Sequence, residues 1–351
     1  MTPDDDPHAD RAAEVPVLSV RGLEVRFPQG SGSVSVVSGV DLDVHANEVL
    51  GIVGESGSGK SVTALAIAAL LPPGARVGGS IRLNGTEVVG ADAETLRQMR
   101  GRDVGVIFQD PATTLNPVLA VGRQVAEGPV AHGQITVAEA RDRAALMLRE
   151  VEIPDAAVRA MQFPHQFSGG MRQRAVIAMA MAARPRLIIA DEPTTALDVT
   201  VQAQVLQLLE RRRHETGAAV ILITHDLGVI AEVASRVAVM YAGRIVETGT
   251  VAEVLRAPRH PYTAALLQSV PRLVAVGGRL DPIPGAPPSP AALPTGCAFH
   301  PRCAVVERPI CARDTPKLRP LGATKRSSIA SSVSGQSWGS SRRRPMAAQK
   351  A

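Results

Sequence analysis

Eight consecutive residues, Gly54-Glu55-Ser56-Gly57-Ser58-Gly59-Lys60-Ser61, have the composition of a phosphate cradle. Glycine lets a backbone approach an anion closely, and N–H groups turned toward one point supply partial positive charge. A lysine late in such a loop can reach the terminal phosphates of a nucleotide. The hydroxyl that follows it can ligate Mg²⁺. A chance glycine-rich turn has similar residue types. Here, however, the loop joins an apolar run, 49–53, to an Ala- and Leu-rich stretch, 61–71. The first reads as a buried parallel strand and the second as a helix. That is the context in which G-x-x-x-x-G-K-[ST] acts as a Walker A loop.

Two further segments carry complementary chemistry. Leu187-Ile188-Ile189-Ala190-Asp191-Glu192 places two carboxylates after four apolar residues. The apolar part predicts a buried strand whose end presents Asp191 to Mg²⁺, through water, and Glu192 to an attacking water as general base. Alone this pattern is common; beside the upstream loop it has the form of a Walker B strand. Phe167-Ser168-Gly169-Gly170-Met171-Arg172-Gln173-Arg174 opens an Ala- and Met-rich helix. Two glycines at a helix start can form a second anion cradle, although a glycine N-cap on an ordinary helix looks the same in isolation.

The ensemble resembles the ATP-binding subunit of an ABC transporter. The segment Phe167 to Arg174 resembles the family's signature motif, Gln109 the Q-loop glutamine, Ala196-Leu197-Asp198 the D-loop, and His225 the switch histidine. Their order and spacing match as well. Ile107-Phe108-Gln109-Asp110-Pro111, Leu115-Asn116-Pro117 and Met171 are similar to the oligopeptide/dipeptide permease branch. So are His260-Pro261-Tyr262-Thr263 with Leu266-Leu267, Pro282-Ile283-Pro284-Gly285, and Gly296-Cys297-Ala298-Phe299-His300-Pro301-Arg302-Cys303. The resemblance covers about residues 17 to 322.

The resemblance implies a working pair of ATP-binding subunits, identical or paralogous, with ATP sandwiched between the Walker A loop of one and the signature of the other. It implies nucleotide contacts from Gly54, Glu55, Ser56, Gly57, Ser58, Gly59, Lys60, Ser61, Val62, Ser168, Gly169, Gly170 and Asp198. Phe27 is a candidate for stacking on adenine, or an ordinary core phenylalanine. Mg²⁺ would be held by Ser61, Gln109 and Asp191, and Glu192, His225 and Gln109 would serve catalysis. The implied partners are two transmembrane permease subunits, which would seat a coupling helix around 109–117, and indirectly an extracytoplasmic solute-binding protein. The implied activity is ATP hydrolysis coupled to uptake of di- or oligopeptides. Nickel complexes or glutathione are alternative cargoes, and a soluble ABC ATPase is a further alternative.

These residues need a scaffold that brings distant segments together. Strand-like runs at 17–20, 23–27, 42–44, 49–53, 187–190 and 220–224, interleaved with helical stretches, predict an α/β fold with a mainly parallel sheet. With the resemblance, this is a P-loop ABC cassette with an N-terminal antiparallel β part and an inserted helical subdomain at about 112–184. The expected organisation is a leader over 1–16, an ATPase domain over 17–256, a proline-rich appendage over 257–322 and a disordered basic Ser-rich tail over 323–351.

Cys297, Cys303 and Cys311 all fall within the appendage, an odd cluster unlike a disulfide framework. Related appendages carry a fourth cysteine and look like iron–sulfur sites, and this chain has none. Three thiolates on a cluster, a Cys₃His zinc site completed by His300, and a metal-free trio all remain open. The nucleotide motifs lie far upstream and contain no cysteine, so ATP binding and hydrolysis are expected to have no direct need of a cluster.

Bulk properties exclude other classes. Apolar residues are 45% of the 351, enough for a buried core, but aromatic residues are 2%, too few for base-stacking platforms. The net charge of +5 derives from the segment after Gly322, which has six basic and no acidic residues. The rest is near neutral, and no nucleic-acid partner is expected. The acidic start lacks a signal-peptide core, and the apolar stretch 62–71 is too short to span a bilayer. The expected location is peripheral, on the cytoplasmic face of the cell membrane.

Overall fold

The computed structural model describes residues 15–194, 199–269, 282–306, 309–320 and 327–328. It begins with a four-stranded antiparallel sheet in the order β2-β1-β4-β5, formed by β1 (Leu18–Gln29), β2 (Gly32–Val44), β4 (Arg76–Leu83) and β5 (Thr86–Glu87). Leu18, Val20, Leu23 and Val25 of β1 all point into the core. Strict alternation would turn Leu23 outward, and a bulge at Arg21-Gly22, with Gly22 at φ +56°, restores its inward direction. The two runs 17–20 and 23–27 are thus one strand. The turn-rich stretch that follows is the tight Gly30-Ser31 hairpin into β2.

The second sheet has the order β11-β12-β10-β9-β3-β8-β7-β6. Its strands are β3 (Val49–Val53), β6 (Val104–Ile107), β7 (Leu187–Asp191), β8 (Ala219–Ile223), β9 (Arg236–Tyr241), β10 (Arg244–Thr250), β11 (Arg319–Pro320) and β12 (Ser327–Ser328). From β6 to β9 all pairings are parallel, and beyond β9 they are antiparallel. Both β3 and β8 are buried throughout, as strands covered on two faces must be. The consequence for function is positional. The chain leaves β3, β6, β7 and β8 at their carboxyl ends, and these four are adjacent, so the residues that follow them share one rim.

Between β6 and β7 lies a helical region comprising Pro111–Thr114, Val121–Ala131, Ala140–Glu150, Ala156–Arg159 and Gly169–Met181. Val121, Val125, Leu148 and Ile177 join one core with Ile188, Val220 and Leu222 of the sheet. Truncating fully buried Leu148 to alanine removes about 2–5 kcal/mol from that junction. The helix Val251–Arg256 starts with a reciprocal capping box between Thr250 and Glu253. Helix Pro261–Gln268 follows, then the irregular segment from 282, and both pack on the same core through Tyr262 and Phe299.

Most of the proposed leader and tail lies outside the described residues. Ser327 and Ser328 are described, and they pair with Thr248 and Glu247 of β10. Among the described residues no helix is long and apolar enough to cross a membrane.

Candidate active site

The loop after β3 is held in place by its neighbours. Gly54 (φ +156°) and Gly59 (φ +103°) are crowded: a Cβ on Gly54 would lie 2.1 Å from the Met240 carbonyl oxygen, and one on Gly59 would lie 2.9 Å from Met240 Cε. Gly243 N–H donates to the Ser58 carbonyl at 2.9 Å, tying the loop to the β9–β10 turn. Ser56 and Gly57 are exposed at its crest, and Val62 packs beneath against the sheet. Lys60, only 6% exposed, curls back to donate to the Gly54 and Glu55 carbonyls at 2.8 and 3.0 Å. Burial lowers its pKa, and the charges of Glu192, Asp191 and Glu55 oppose that shift. A buried ammonium held by carbonyls, with carboxylates nearby, is poised to exchange those acceptors for phosphate oxygens.

At the end of β7, Asp191 takes a hydrogen bond from the Ser61 hydroxyl. Desolvation, and then the like charge of Glu192, push its carboxyl pKa up. Its Oδ1 is buried with no hydrogen-bond partner among the described residues. A hydroxyl and a carboxylate with an orphaned oxygen form a hard oxygen donor set, which fits Mg²⁺.

Glu192 follows at φ +48°, a left-handed conformation that costs a non-glycine residue on the order of 1 kcal/mol. Its N–H donates to the Ile223 carbonyl at 2.9 Å, which fixes the turn against β8. The carboxylate then meets residues from two other strand ends. Gln109 Nε2 donates to Oε2 at 2.9 Å, and His225 Nδ1 lies 3.3 Å from Oε1. Gln109, Glu192 and His225 are therefore one constellation, beside the Ser61–Asp191 pair. Gln109, also expected on Mg²⁺, has its amide nitrogen turned to Glu192.

Ser168 caps the helix Gly169–Met181 by accepting from Met171 N–H at 3.3 Å, and no hydrogen bond joins it to the phosphate loop. Four residues into this helix, buried Gln173 donates to the Pro193 carbonyl at 2.7 Å. It thereby anchors the residue after Glu192. Sequence reasoning missed this role because a side chain bonded to a backbone carbonyl leaves no pattern. Phe27 is partly buried and packs on the antiparallel sheet's core. Asp198 lies outside the described residues.

The appendage reaches the phosphate loop through two side chains, Tyr262 and Arg302. The Tyr262 phenol oxygen accepts from Glu55 N–H at 2.8 Å. Arg302 grips the Glu55 carboxylate with both terminal nitrogens, at 2.6 and 2.9 Å. Glu55, expected in the cradle, thus commits its N–H and its carboxylate to the appendage and turns only its carbonyl to Lys60. Phe299 packs edge to face with Tyr241 and Tyr262, at centroid distances of 5.3 and 5.4 Å, and the two tyrosines lie tilted at 4.5 Å. Burial raises the pKa of both tyrosines, and the Glu55 bond raises that of Arg302.

Among the described residues no three His, Cys, Asp or Glu side chains are grouped to hold an ion. His300 Nδ1 donates to the Cys297 carbonyl at 2.9 Å, and Cys297 N–H donates to the Cys311 carbonyl at 2.8 Å. Burial raises the pKa of the Cys297 and Cys303 thiols, and neighbouring cysteines add to the rise.

Comparison with known proteins agrees with this geometry. Residues 37–195 match the ABC transporter family, and residues 246–311 match the family described as oligopeptide/dipeptide transporter, C-terminal region. The chain is 48% identical to the oligopeptide transport ATP-binding protein OppD of Escherichia coli (strain K12), over 85% of this chain and 88% of that protein. It is 51% identical to the dipeptide transport ATP-binding protein DppD of Bacillus subtilis (strain 168), over 82% of this chain and 86% of that one. A dimeric post-hydrolysis structure of the ATP-binding cassette MJ0796 with ADP and Pi superposes with a TM-score of 0.61 at 28% identity, covering 67% of this chain and 98% of that one. With a Walker A lysine, a Walker B carboxylate pair and a signature helix on this fold, the chain belongs to the ABC transporter family of ATP-hydrolysing cassettes and carries the C-terminal region of its oligopeptide/dipeptide branch.

Proposed function

We propose that this chain is one of two ATP-binding subunits that drive uptake of di- or oligopeptides through a pair of transmembrane permease subunits. The observation that carries the site assignment is the meeting of Gln109, Glu192 and His225 beside the Ser61–Asp191 pair. Lys60 transfers its ammonium from the loop carbonyls to the β- and γ-phosphates of ATP. Ser61 and Asp191 would hold Mg²⁺, which would neutralise charge on the phosphate oxygens. Glu192 accepts the proton of the attacking water, Gln109 orients the Glu192 carboxylate, and His225 contacts the γ-phosphate. Ser168, Gly169 and Gly170 cradle the nucleotide of the other subunit, and Phe27 and Asp198 complete the site. Cassette and appendage are read as 17–256 and 257–322.

The cargo class rests on the similarity of both segments to OppD and DppD, whose names state peptide transport. Its location at the cytoplasmic face of the membrane follows from these partners, with a solute-binding protein on the far side. The test is affinity purification of the full chain from membranes. Recovery of two apolar multi-span subunits, with ATPase activity stimulated by a peptide-loaded binding protein, is the expected result. A soluble chain that recovers none overturns the transport reading. The cysteine segment is read as metal-free in protein purified in air, and stoichiometric iron or zinc on metal analysis overturns that.

A further inference from the structure

The phosphate loop has a carboxylate where its task would favour none. Glu55 is the second residue of a loop that binds a polyanion, and its charge is felt at Lys60. Its own carbonyl is one of the two that Lys60 holds, at 3.0 Å. An uncompensated negative charge there repels a triphosphate and competes for the lysine. Among the described residues no cassette side chain forms an ion pair with Glu55, and Lys60 turns to its carbonyl rather than its carboxylate. The compensating charge arrives from 247 residues away, where Arg302 presents a bidentate fork to the carboxylate. The Arg302 side chain is 5% exposed against 24% for Glu55, so the guanidinium has little water to fall back on. Its Nε donates to the Pro284 carbonyl at 2.8 Å, and its Cζ lies 5.9 Å from the centre of the Tyr241 ring. The fork is thus held in one direction before it meets Glu55. Tyr262 adds a second contact, taking the Glu55 N–H.

We propose that Arg302, with Tyr262, is a positioning residue of the nucleotide site: by neutralising Glu55 and fixing the start of the phosphate loop, the appendage sets the affinity for ATP. The side-chain hydrogen bonds of Arg302 go to Glu55, Pro284 and Tyr241 and not to Gln109, Glu192 or His225, so its effect falls on binding and not on the chemical step. Because it closes the turn His300–Arg302 next to Cys303, displacement of that turn is transmitted to Glu55.

This rests on the nucleotide reading above, and wild-type binding of a fluorescent ATP analogue by the purified full chain tests that reading separately. Arg302→Met removes the charge and retains an apolar side chain. The expected result is a rise of about tenfold or more in the dissociation constant for the analogue, the scale of one unit charge near another in a partly screened site. The turnover number at saturating ATP should stay within about twofold. Adding Glu55→Gln should recover most of the lost affinity, since it removes the charge that Arg302 compensates. A purely structural Arg302 predicts the opposite, because the double variant then lacks both halves of a packed contact. Unchanged affinity in Arg302→Met, or no recovery in the double variant, overturns the proposal. If Arg302→Met does not fold, Arg302→Lys decides: it keeps the charge without the fork, and it must bind the analogue more weakly than wild type, with the deficit widening at high ionic strength. Wild-type affinity in Arg302→Lys at low and high salt alike overturns the role of the bidentate grip.

Discussion

Glu192→Gln separates hydrolysis from binding because the glutamine side chain reproduces nearly everything the glutamate does structurally. Its length is the same, and the left-handed backbone at φ +48° is equally strained for either residue. The amide oxygen can still accept from Gln109 Nε2, and the amide N–H can face His225 Nδ1, so the two contacts at 2.9 and 3.3 Å survive. What disappears is a base and a negative charge. Loss of a general base slows turnover by roughly 10²–10⁴-fold, about 3–5 kcal/mol in the barrier. The lost charge acts in the other direction on binding. Glu192 pushes the Asp191 carboxyl up and faces the site that receives a polyanion. Its removal leaves Asp191 more fully ionised and lessens repulsion. The expected outcome is turnover reduced at least about hundredfold, ATP affinity equal or tighter, and an ATP-bound dimer that persists on sizing chromatography. Phosphate release at saturating Mg-ATP and analogue binding measure the two halves. Turnover within tenfold of wild type would refute Glu192 as the base.

Lys60→Ala removes the one ammonium buried in the phosphate loop, so equilibrium binding of an ATP analogue should itself fall, and unchanged binding rejects the role. His260 gives a pH dependence: it is 3% exposed, and burial holds its pKa at about 4, below its ordinary 6.5. As pH falls through 6.5 the unfolded chain takes up the proton first, so stability declines from there to about pH 4 and then levels, losing about 3 kcal/mol. Asparagine at this position can still accept from Tyr262 N–H as the helix N-cap, and His260→Asn should flatten that decline in denaturant titrations. An equal decline in the variant would place the pH dependence elsewhere.

The parts of the site that were legible are those whose chemistry is contiguous. Gly54 to Ser61 and Leu187 to Glu192 each combine a strand, a turn and the reactive groups in one stretch, so local pattern suffices. Gln109 and His225 were readable only as members of an ordered set. Their convergence on Glu192 depends on the strand order β6-β7-β8, which no local pattern specifies. Arg302 and Glu55 were opaque for a plainer reason: an ion pair across 247 residues has no period and no spacing. Gln173 was opaque because its acceptor is a carbonyl, which every residue owns. In the fold, the bulge at Arg21-Gly22 disguised one strand as two, since its one extra residue resets the alternation on which the reading relied.

The glycines of the two cradles differ in a way that bears on where the second cradle works. Gly54 and Gly59 are required by this chain's own packing, because side chains there would strike Met240, and so alanine at either position tests only folding. Gly169 is different. A Cβ built on it meets nothing within 4 Å, and its backbone is not left-handed. It opens the helix Gly169–Met181, where glycine is a poorer choice than alanine by up to about 1 kcal/mol. The folded monomer therefore gives no reason for glycine at 169. A close approach by something outside the chain, with the N–H groups of a helix start facing it, does give one. Gly169→Ala should accordingly leave monomer stability unchanged or slightly raised, and leave analogue binding by the monomer intact. It should lower both ATP-dependent dimerisation and turnover by roughly tenfold or more, the loss expected when an anion can no longer approach a preorganised backbone donor set. Thermal unfolding, analogue binding, sizing with ATP and phosphate release on one preparation read all four. A variant that dimerises and hydrolyses like the wild type would show that the second cradle holds no phosphate, and a variant that loses monomer binding would place Gly169 at this subunit's own nucleotide.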